Sequence, residues 1–179
     1  MDGNDYDTER PDKRSGRPKG GKIDLPRPDY IKQAKEKAAS YCAYQERTQQ
    51  EVRDKLYALG LHQEEVEEVL TELILDNFIN EERFAKSFAR GKFNFNKWGR
   101  LKIRQTLKLK RLSDRCIEEG LNEIDDADYH QMIETLAEKK MTILDRSDVW
   151  ATKNKTARYL IGKGFEAELV WNVVNDKLA

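Results

Sequence analysis

Apolar residues recur along most of this chain at the spacing of an α-helix, and capping residues divide the pattern into short segments. Val52, Leu56 and Leu59 stand at i, i+4 and i+7 after Thr48, a residue type that caps helix N-termini, and Gly60 follows as a stop signal. No proline occurs after residue 28. The pattern therefore predicts short helices joined by turns of a few residues, and no β-sheet.

The predicted helix–turn–helix pattern occurs three times. Three segments of equal length align without gaps, so that the apolar positions of one copy fall on those of the next. The segments are residues 51–70, 102–121 and 155–174. Their turns are centred on Gly60, Arg111 and Gly164. The shared position of the turn favours a true repeat over a chance likeness among amphipathic helices.

One further predicted helix precedes each copy. These helices span residues 29–46, 80–93 and 126–144. A period of about fifty residues is typical of helical repeat arrays, in which each unit buries part of its apolar face against its neighbour. We therefore predict an elongated all-α array of three tandem three-helix repeats. The predicted units are residues 29–78, 79–124 and 125–179.

The first 28 residues differ in composition from the rest. They hold all four prolines and four of the ten glycines, among charged residues and few large apolar ones. Such a segment buries too little apolar surface to offset the entropy of ordering it. We predict a disordered tail over residues 1–28.

Composition and candidate chemistry argue against an enzyme. Hydrophobic residues make up 38% of the chain and charged residues 37%, and no apolar run is long enough to span a membrane. We expect a cytoplasmic protein whose two cysteines, Cys42 and Cys116, are reduced thiols. His62 and His130 stand in polar segments with no metal-ligand spacing, and the Gly162–Gly164 stretch lacks the context of a phosphate-binding loop. We expect no cofactor, no metal and no catalytic residue.

The charges are segregated although the formal net charge is zero. Residues 83–113 contain eleven Lys and Arg and no Asp or Glu, whereas residues 62–82 contain eight acids and no Lys or Arg. Five of the basic residues are three or four positions apart, which predicts one stripe on a helix. They are Lys97, Arg100, Arg104, Lys108 and Arg111. Two partners could balance such a stripe: the acidic helix of residues 62–76, or an external polyanion or acidic surface.

Aromatic residues interleave this basic block. Phe84 and Phe88 stand at core spacing beside alanines, whereas Phe93, Phe95 and Trp98 surround a predicted turn. An aromatic ring among basic side chains is one way to bind unpaired bases, although packing between units would explain these residues equally well. Trp98 and the nearby Lys92 therefore join the stripe as candidate partner contacts.

Four stretches, in this order and at these spacings, resemble the RecX family of recombination regulators. They are "RTQQEVRDKLYALG", "NFINEERFAKSFAR", "WGRLKIRQTLKLK" and "KTARYLIGKGF". Family features include an Arg-Phe-Ala signature, here residues 83–85, and a glycine before the basic helix, here Gly99. One departure is Arg111, where the family usually has glycine, so the conformation of that turn stays open.

The resemblance implies three tandem three-helix repeats and regulation by binding. RecX-like proteins bind the RecA recombinase along the groove of its filament on single-stranded DNA. They lower its strand exchange, ATP hydrolysis and co-protease activities in DNA repair and the SOS response. The resemblance thus implies a RecA partner, with single-stranded DNA met through the filament, and we expect a monomer with no membrane contact. The alternative is a helical-repeat protein that binds DNA directly, without RecA.

Overall fold

The computed structural model describes residues 26–144 and 147–178, and within them the chain forms nine α-helices and no strands. The helices are α1 (Arg27–Tyr44), α2 (Gln49–Ala58), α3 (Gln63–Leu75), α4 (Glu81–Asn94), α5 (Arg100–Leu109), α6 (Asp114–Leu121), α7 (Asp126–Thr142), α8 (Val149–Gly162) and α9 (Ala167–Lys177). Helices α1–α3 form unit 1, α4–α6 unit 2 and α7–α9 unit 3, because all extensive helix–helix contacts fall within these triplets. The predicted all-α repeat fold is confirmed.

Helix α1 begins two residues before the predicted start of unit 1. Pro28 occupies its first turn, where proline's missing N–H costs no helical hydrogen bond. The Arg27 guanidinium donates to the Glu65 carboxylate, with Nε to Oε1 at 2.6 Å. Residues 26–28 of the predicted tail therefore belong to the start of unit 1. The rest of that tail, residues 1–25, lies outside the described residues.

The same turn joins the second and third helices of every unit. Its central residue is left-handed each time, with φ of 85° at Gly60, 64° at Arg111 and 91° at Gly164. The next amide donates back to the preceding helix at 3.3 Å in all three copies, which is a Schellman-type ending. That next residue is buried; it is Leu61, Leu112 or Phe165. Arg111 thus keeps the turn that glycine adopts elsewhere.

The units share their cores unequally. Unit 1 encloses one apolar cluster, whereas units 2 and 3 enclose a single cluster between them. Tyr129 of α7 lies at its centre, fully buried, with ring centroids 5.8 Å from Phe93 and 5.3 Å from Phe165. Units 2 and 3 are therefore one packed body, because both the rings and the aliphatic side chains cross the boundary between them.

Backbone contact reinforces the boundary between units 2 and 3. The Gly99 amide donates to the Lys163 carbonyl at 2.9 Å, and the Leu101 amide donates to the Gly164 carbonyl at 3.0 Å. A Cβ placed on Gly99 would lie 2.2 Å from the carbonyl carbon and oxygen of Gly164. The absence of a side chain at residue 99 is what lets the two units approach this closely.

Polar contacts join unit 1 to unit 2. Arg83 pairs with Glu46 at 2.5 Å, and Lys110 pairs with Glu51 at 2.6 Å. Arg111 donates to the Gln50 side-chain oxygen at 3.2 Å. Partly exposed pairs of this kind contribute far less than a shared apolar core. Unit 1 is accordingly the more loosely attached unit.

Candidate partner-binding surface

The helix that carries the predicted basic stripe is shorter than the stripe. Helix α5 begins at Arg100, after Gly99, and ends at Leu109. Lys97 and Arg111 lie in the flanking turns with φ of 57° and 64°. Only Arg100, Arg104 and Lys108 therefore share one face of α5, and the prediction of a single five-residue helical stripe was wrong.

Arg100 is held by three groups of its own protein. Its Nη2 donates to the Ile124 carbonyl at 2.8 Å and to Asp126 Oδ1 at 2.6 Å. Its guanidinium carbon lies 4.2 Å from the centroid of the Tyr129 ring. The Arg100 amide also donates to the Tyr129 hydroxyl at 3.0 Å. Arg100 thus ties α5 to the start of α7, and this charge is already engaged.

Arg104 and Lys108 face acids of the next helix. Arg104 makes a two-pronged contact with Glu118, one arm of which measures 3.0 Å between Nη2 and Oε2. The Arg104 guanidinium lowers the pKa of the Glu118 carboxyl below its ordinary value. Lys108 Nζ lies 3.3 Å from Asp114 Oδ1, with both side chains largely exposed. Acids on α6 and at the start of α7 therefore balance the basic face of α5.

The acidic segment of residues 62–76 has other partners. Four of its carboxylates pair within unit 1: Glu65 with Arg27, Glu67 with Arg53, and both Glu72 and Asp76 with Lys35. The hypothesis that this segment balances the basic stripe was wrong. The acidic segment is balanced within unit 1, whereas α5 is balanced by α6 of its own unit and by Asp126 at the start of α7 in unit 3.

A different set of basic residues has no carboxylate partner within the described part of the chain. Lys92 Nζ lies 5.2 Å and Lys102 Nζ 4.6 Å from the centroid of the Trp98 ring. Lys97 is adjacent to Trp98 in sequence and makes no ion pair with any described residue. An aromatic face attracts an ammonium group but does not neutralise its charge. We call Lys92, Lys97, Trp98 and Lys102 the Trp98 cluster.

The Trp98 cluster combines predicted and unpredicted residues. Three of its members were candidates from sequence, but Lys102 was missed because it lies off the predicted stripe. The absence of acids from residues 83–113 was the signal that could have found it. Trp98 is half-buried against the core shared by units 2 and 3. One part of its ring therefore packs between units and the other part is exposed, so both of the roles considered from sequence, packing and partner contact, stay open to it. Phe84 is buried as predicted, and Phe95 is 87% exposed.

The other predicted contacts have mixed surroundings. Arg111 is exposed, and its only polar partner in the described residues is neutral Gln50, so its charge is uncancelled. A pocket of about 380 Å³ lies beside Arg100 and Arg104, but Glu118, Asp126 and Glu166 line it as well. A pocket with charges of both signs does not select an anion. The Trp98 cluster and Arg111 are the better anion-binding candidates.

Two kinds of feature are absent from the described residues. No helix among the described residues has the length and apolar character needed to cross a membrane. Within the same residues no three His, Cys, Asp or Glu side chains come together as metal ligands would. His62 stands at the N-terminal end of α3, where its backbone amide donates to Glu65 at 2.7 Å.

Comparison with known families matches all three units. Residues 34–73 match the model described as RecX, first three-helix domain, residues 80–121 match the second domain and residues 127–174 match the third. The chain is 32% identical over 143 residues to "Regulatory protein RecX" of Streptococcus uberis and 31% identical over 134 residues to that of Clostridium botulinum. These alignments cover 79% and 74% of this chain but only 54% and 62% of those relatives.

A solved structure shows the same fold. The crystal structure of RecX from Lactobacillus salivarius aligns with a TM-score of 0.77 at 29% sequence identity. The alignment covers 84% of this chain and 97% of that one. The similarity therefore extends over all three units and is not confined to one repeat.

Proposed function

The chain belongs to the RecX family of regulatory proteins, and on that basis we propose that it binds a RecA recombinase along the filament that RecA forms on single-stranded DNA. Binding lowers the recombinase, ATPase and co-protease activities of that filament in the cytoplasm, during DNA repair and the SOS response. The protein acts by occupying a surface and not by catalysis. Family membership supports the partner, and the surface of unit 2 supports the manner of binding.

The observation that carries the proposal is the uncancelled charge of the Trp98 cluster. Lys92, Lys97 and Lys102 have no carboxylate partner among the described residues, although the whole sequence is neutral. Positive charge concentrated on one side of a neutral protein attracts polyanions and steers association. A filament that encloses single-stranded DNA offers phosphates at its groove, and an array of repeats can follow a groove over several contacts.

The proposal assigns two roles to the basic block. The Trp98 cluster and Arg111 contact the filament, because their charges are available. Arg100, Arg104 and Lys108 position α5, because each is already paired with a carboxylate of unit 2 or of α7. Loss of these three residues should therefore lower the free energy of unfolding. Unpaired like charges on one helix face would repel one another, but these three charges are paired, so their loss relieves no such repulsion.

Two triple variants with the same change of charge test this assignment. The first replaces Lys92, Lys97 and Lys102 with Gln, and the second replaces Arg100, Arg104 and Lys108 with Gln. ATP hydrolysis by RecA on single-stranded DNA is measured at increasing concentrations of the 179-residue protein and of each variant. We expect the first variant to fold normally and inhibit weakly. We expect the second to unfold at lower urea concentration and, where folded, to inhibit.

Salt provides a second measurement. On a single strand, each lost phosphate contact reduces the magnitude of the slope of log affinity against log salt by about 0.7. The first variant lacks three lysines, so its slope should be smaller than that of the wild type by about 2. A wild-type protein that leaves RecA activity unchanged would refute the partner. A first variant that inhibits like the wild type would refute the surface. Equal binding to bare duplex DNA and to filaments would instead favour the direct DNA-binding alternative.

A further inference from the structure

Unit 3 carries a second basic face, on α8. From residue 149 to residue 165 the sequence contains no Asp or Glu. Lys155, Arg158, Tyr159 and Lys163 follow one another at i, i+3, i+4 and i+8, so they lie along one side of the helix. Lys155 and Arg158 are exposed and make no ion pair with any described residue. Their charges are therefore directed to solvent and have no partner within the described chain.

Tyr159 repeats the arrangement found around Trp98. Its ring centroid lies 5.3 Å from Lys140 Nζ and 5.4 Å from Lys163 Nζ. Unit 2 and unit 3 each therefore have one partly exposed ring that stands between two lysines. The nearby acids of α7 are engaged elsewhere, because Glu134 and Glu138 both face Lys177.

Glu166, which follows the α8 turn, is also engaged. It accepts a hydrogen bond from the Tyr129 hydroxyl at 2.5 Å, inside the boundary between units 2 and 3. Burial raises the pKa of the Tyr129 hydroxyl above its ordinary value, and the hydrogen bond to Glu166 raises it further. The carboxylate closest in sequence to Lys163 is thus turned to the junction.

The two ring-and-lysine groups flank one backbone contact. The Gly99 amide donates to the Lys163 carbonyl at 2.9 Å, so Trp98 and Lys163 are each within one residue of the same hydrogen bond. A Cβ on Gly164 would lie 2.3 Å from the Lys102 Cβ. The Trp98 cluster and the α8 face therefore adjoin across the boundary between units 2 and 3.

We propose that Lys140, Lys155, Arg158, Tyr159 and Lys163 form the second half of a track for an unpaired nucleic-acid strand, which continues the Trp98 cluster. The lysines and Arg158 contact successive phosphates, and the rings of Trp98 and Tyr159 offer surfaces on which bases stack. An unpaired strand fits these groups better than a duplex, because stacked base pairs do not expose their faces. An acidic protein would use the charges but has no need of the rings.

This inference deepens the proposed function by naming the strand as a direct ligand, and bare single-stranded DNA tests it without a recombinase. The variant Lys155→Gln/Arg158→Gln is compared with Lys32→Gln/Lys37→Gln, a matched loss of two exposed, unpaired lysines on α1. Binding of the 179-residue wild type and of both variants to a fluorescent oligo-dT of about 16 nucleotides is followed by anisotropy at several salt concentrations. The slope of log affinity against log salt should be smaller by about 1.4 in the α8 variant than in the wild type, and it should be unchanged in the α1 variant. Equal slopes in the two variants would overturn the proposal.

Tyr159 is tested by a ring-retaining and a ring-removing substitution. Tyr159→Phe should bind oligo-dT within about twofold of the wild type, whereas Tyr159→Leu should bind about tenfold more weakly, since stacking requires the ring. Binding to a duplex of equal length should not distinguish the two. Equal affinities of both variants for oligo-dT, or an equal loss on duplex, would overturn the role of the ring.

The outcome is separable from that of the proposed function. Unchanged oligo-dT binding by the α8 variant, with RecA inhibition retained by the wild type, would overturn the track alone. Strand binding that depends on α8, in a protein that leaves RecA unaffected, supports the track and refutes the RecA partner. If the α8 variant binds oligo-dT normally but loses affinity for DNA-free recombinase, the face binds a protein and the track is wrong.

Discussion

Substitution of Gly99 by alanine should separate unit 3 from unit 2. The new Cβ would lie 2.2 Å from the carbonyl carbon and oxygen of Gly164 and 2.3 Å from the Phe165 amide nitrogen. These are backbone atoms of a turn fixed by the buried Phe165 ring, so they cannot rotate away as a flexible side chain would. Gly99 itself has φ of −77° and ψ of 164°, which any residue adopts. The expected damage is therefore steric and not conformational.

The magnitude follows from what the clash displaces. Two backbone hydrogen bonds span the boundary, from Gly99 to Lys163 and from Leu101 to Gly164, and each contributes about 1 kcal/mol. Overpacking a well-filled site costs about 1–3 kcal/mol more. We expect Gly99→Ala to lower the free energy of unfolding by about 3–5 kcal/mol, a large fraction of what a domain of this size has.

Two other glycines provide matched controls. Gly91 in α4 and Gly162 at the end of α8 have no atom within 4 Å of an added Cβ. Gly91→Ala and Gly162→Ala should stabilise the protein by about 0.5–1 kcal/mol, because alanine loses less entropy than glycine in a helix. Urea unfolding is followed by circular dichroism at 222 nm, a standard helix wavelength. A Gly99→Ala protein as stable as Gly91→Ala would refute the account of the boundary.

The remaining predictions concern the repeated turn and the buried tyrosine. Arg111→Gly should raise the free energy of unfolding by about 0.5–1 kcal/mol, since the left-handed conformation costs a side-chain-bearing residue about 1–2 kcal/mol and part of the gain is offset by glycine's entropy in the unfolded chain. Arg111→Ala removes the charge and keeps the strain, so an equal midpoint for the two variants in urea would contradict this. Tyr129→Phe should cost about 1–3 kcal/mol, because Glu166 and the Arg100 amide lose their shared partner. Because the folded pKa of Tyr129 is raised above the ordinary value of 10, its contribution is complete below pH 10 and is lost as the pH rises beyond it. Thermal midpoints should fall more steeply above pH 10 in the wild type than in Tyr129→Phe, and parallel curves would refute the linkage.

Local pattern was sufficient for the helices and their turns. Thr48 and Glu51 form the capping box that caps α2, with the Thr48 hydroxyl accepting from the Glu51 amide at 3.1 Å. Apolar periodicity located the buried faces, since Val52 and Leu56 are both fully buried. These features are readable because capping and amphipathic spacing involve residues within one or two turns of each other. The all-α repeat and the family resemblance follow from the same short-range signals.

The conformation of the turn at Arg111 could not be predicted from neighbouring residues alone. The sequence left its turn open because arginine disfavours φ above zero. The structure keeps the turn because the Leu112 amide bonds to the preceding helix and the Leu112 side chain is buried. Burial of the neighbour and a completed helix ending outweigh about 1–2 kcal/mol of strain at one residue.

The sequence alone therefore determined the helices, their order and their grouping into three units, and the tertiary structure decided which charges are free. Arg100 pairs with Asp126, and Arg104 pairs with Glu118, so the basic residues on α5 that looked unpaired are not. Lys102 was overlooked, yet it belongs to the cluster that has no carboxylate. The fusion of units 2 and 3 also escaped the sequence. Helix periodicity is a property of neighbouring residues, whereas ion pairing and core sharing depend on distances between residues far apart in the chain, and only the packed fold sets those distances.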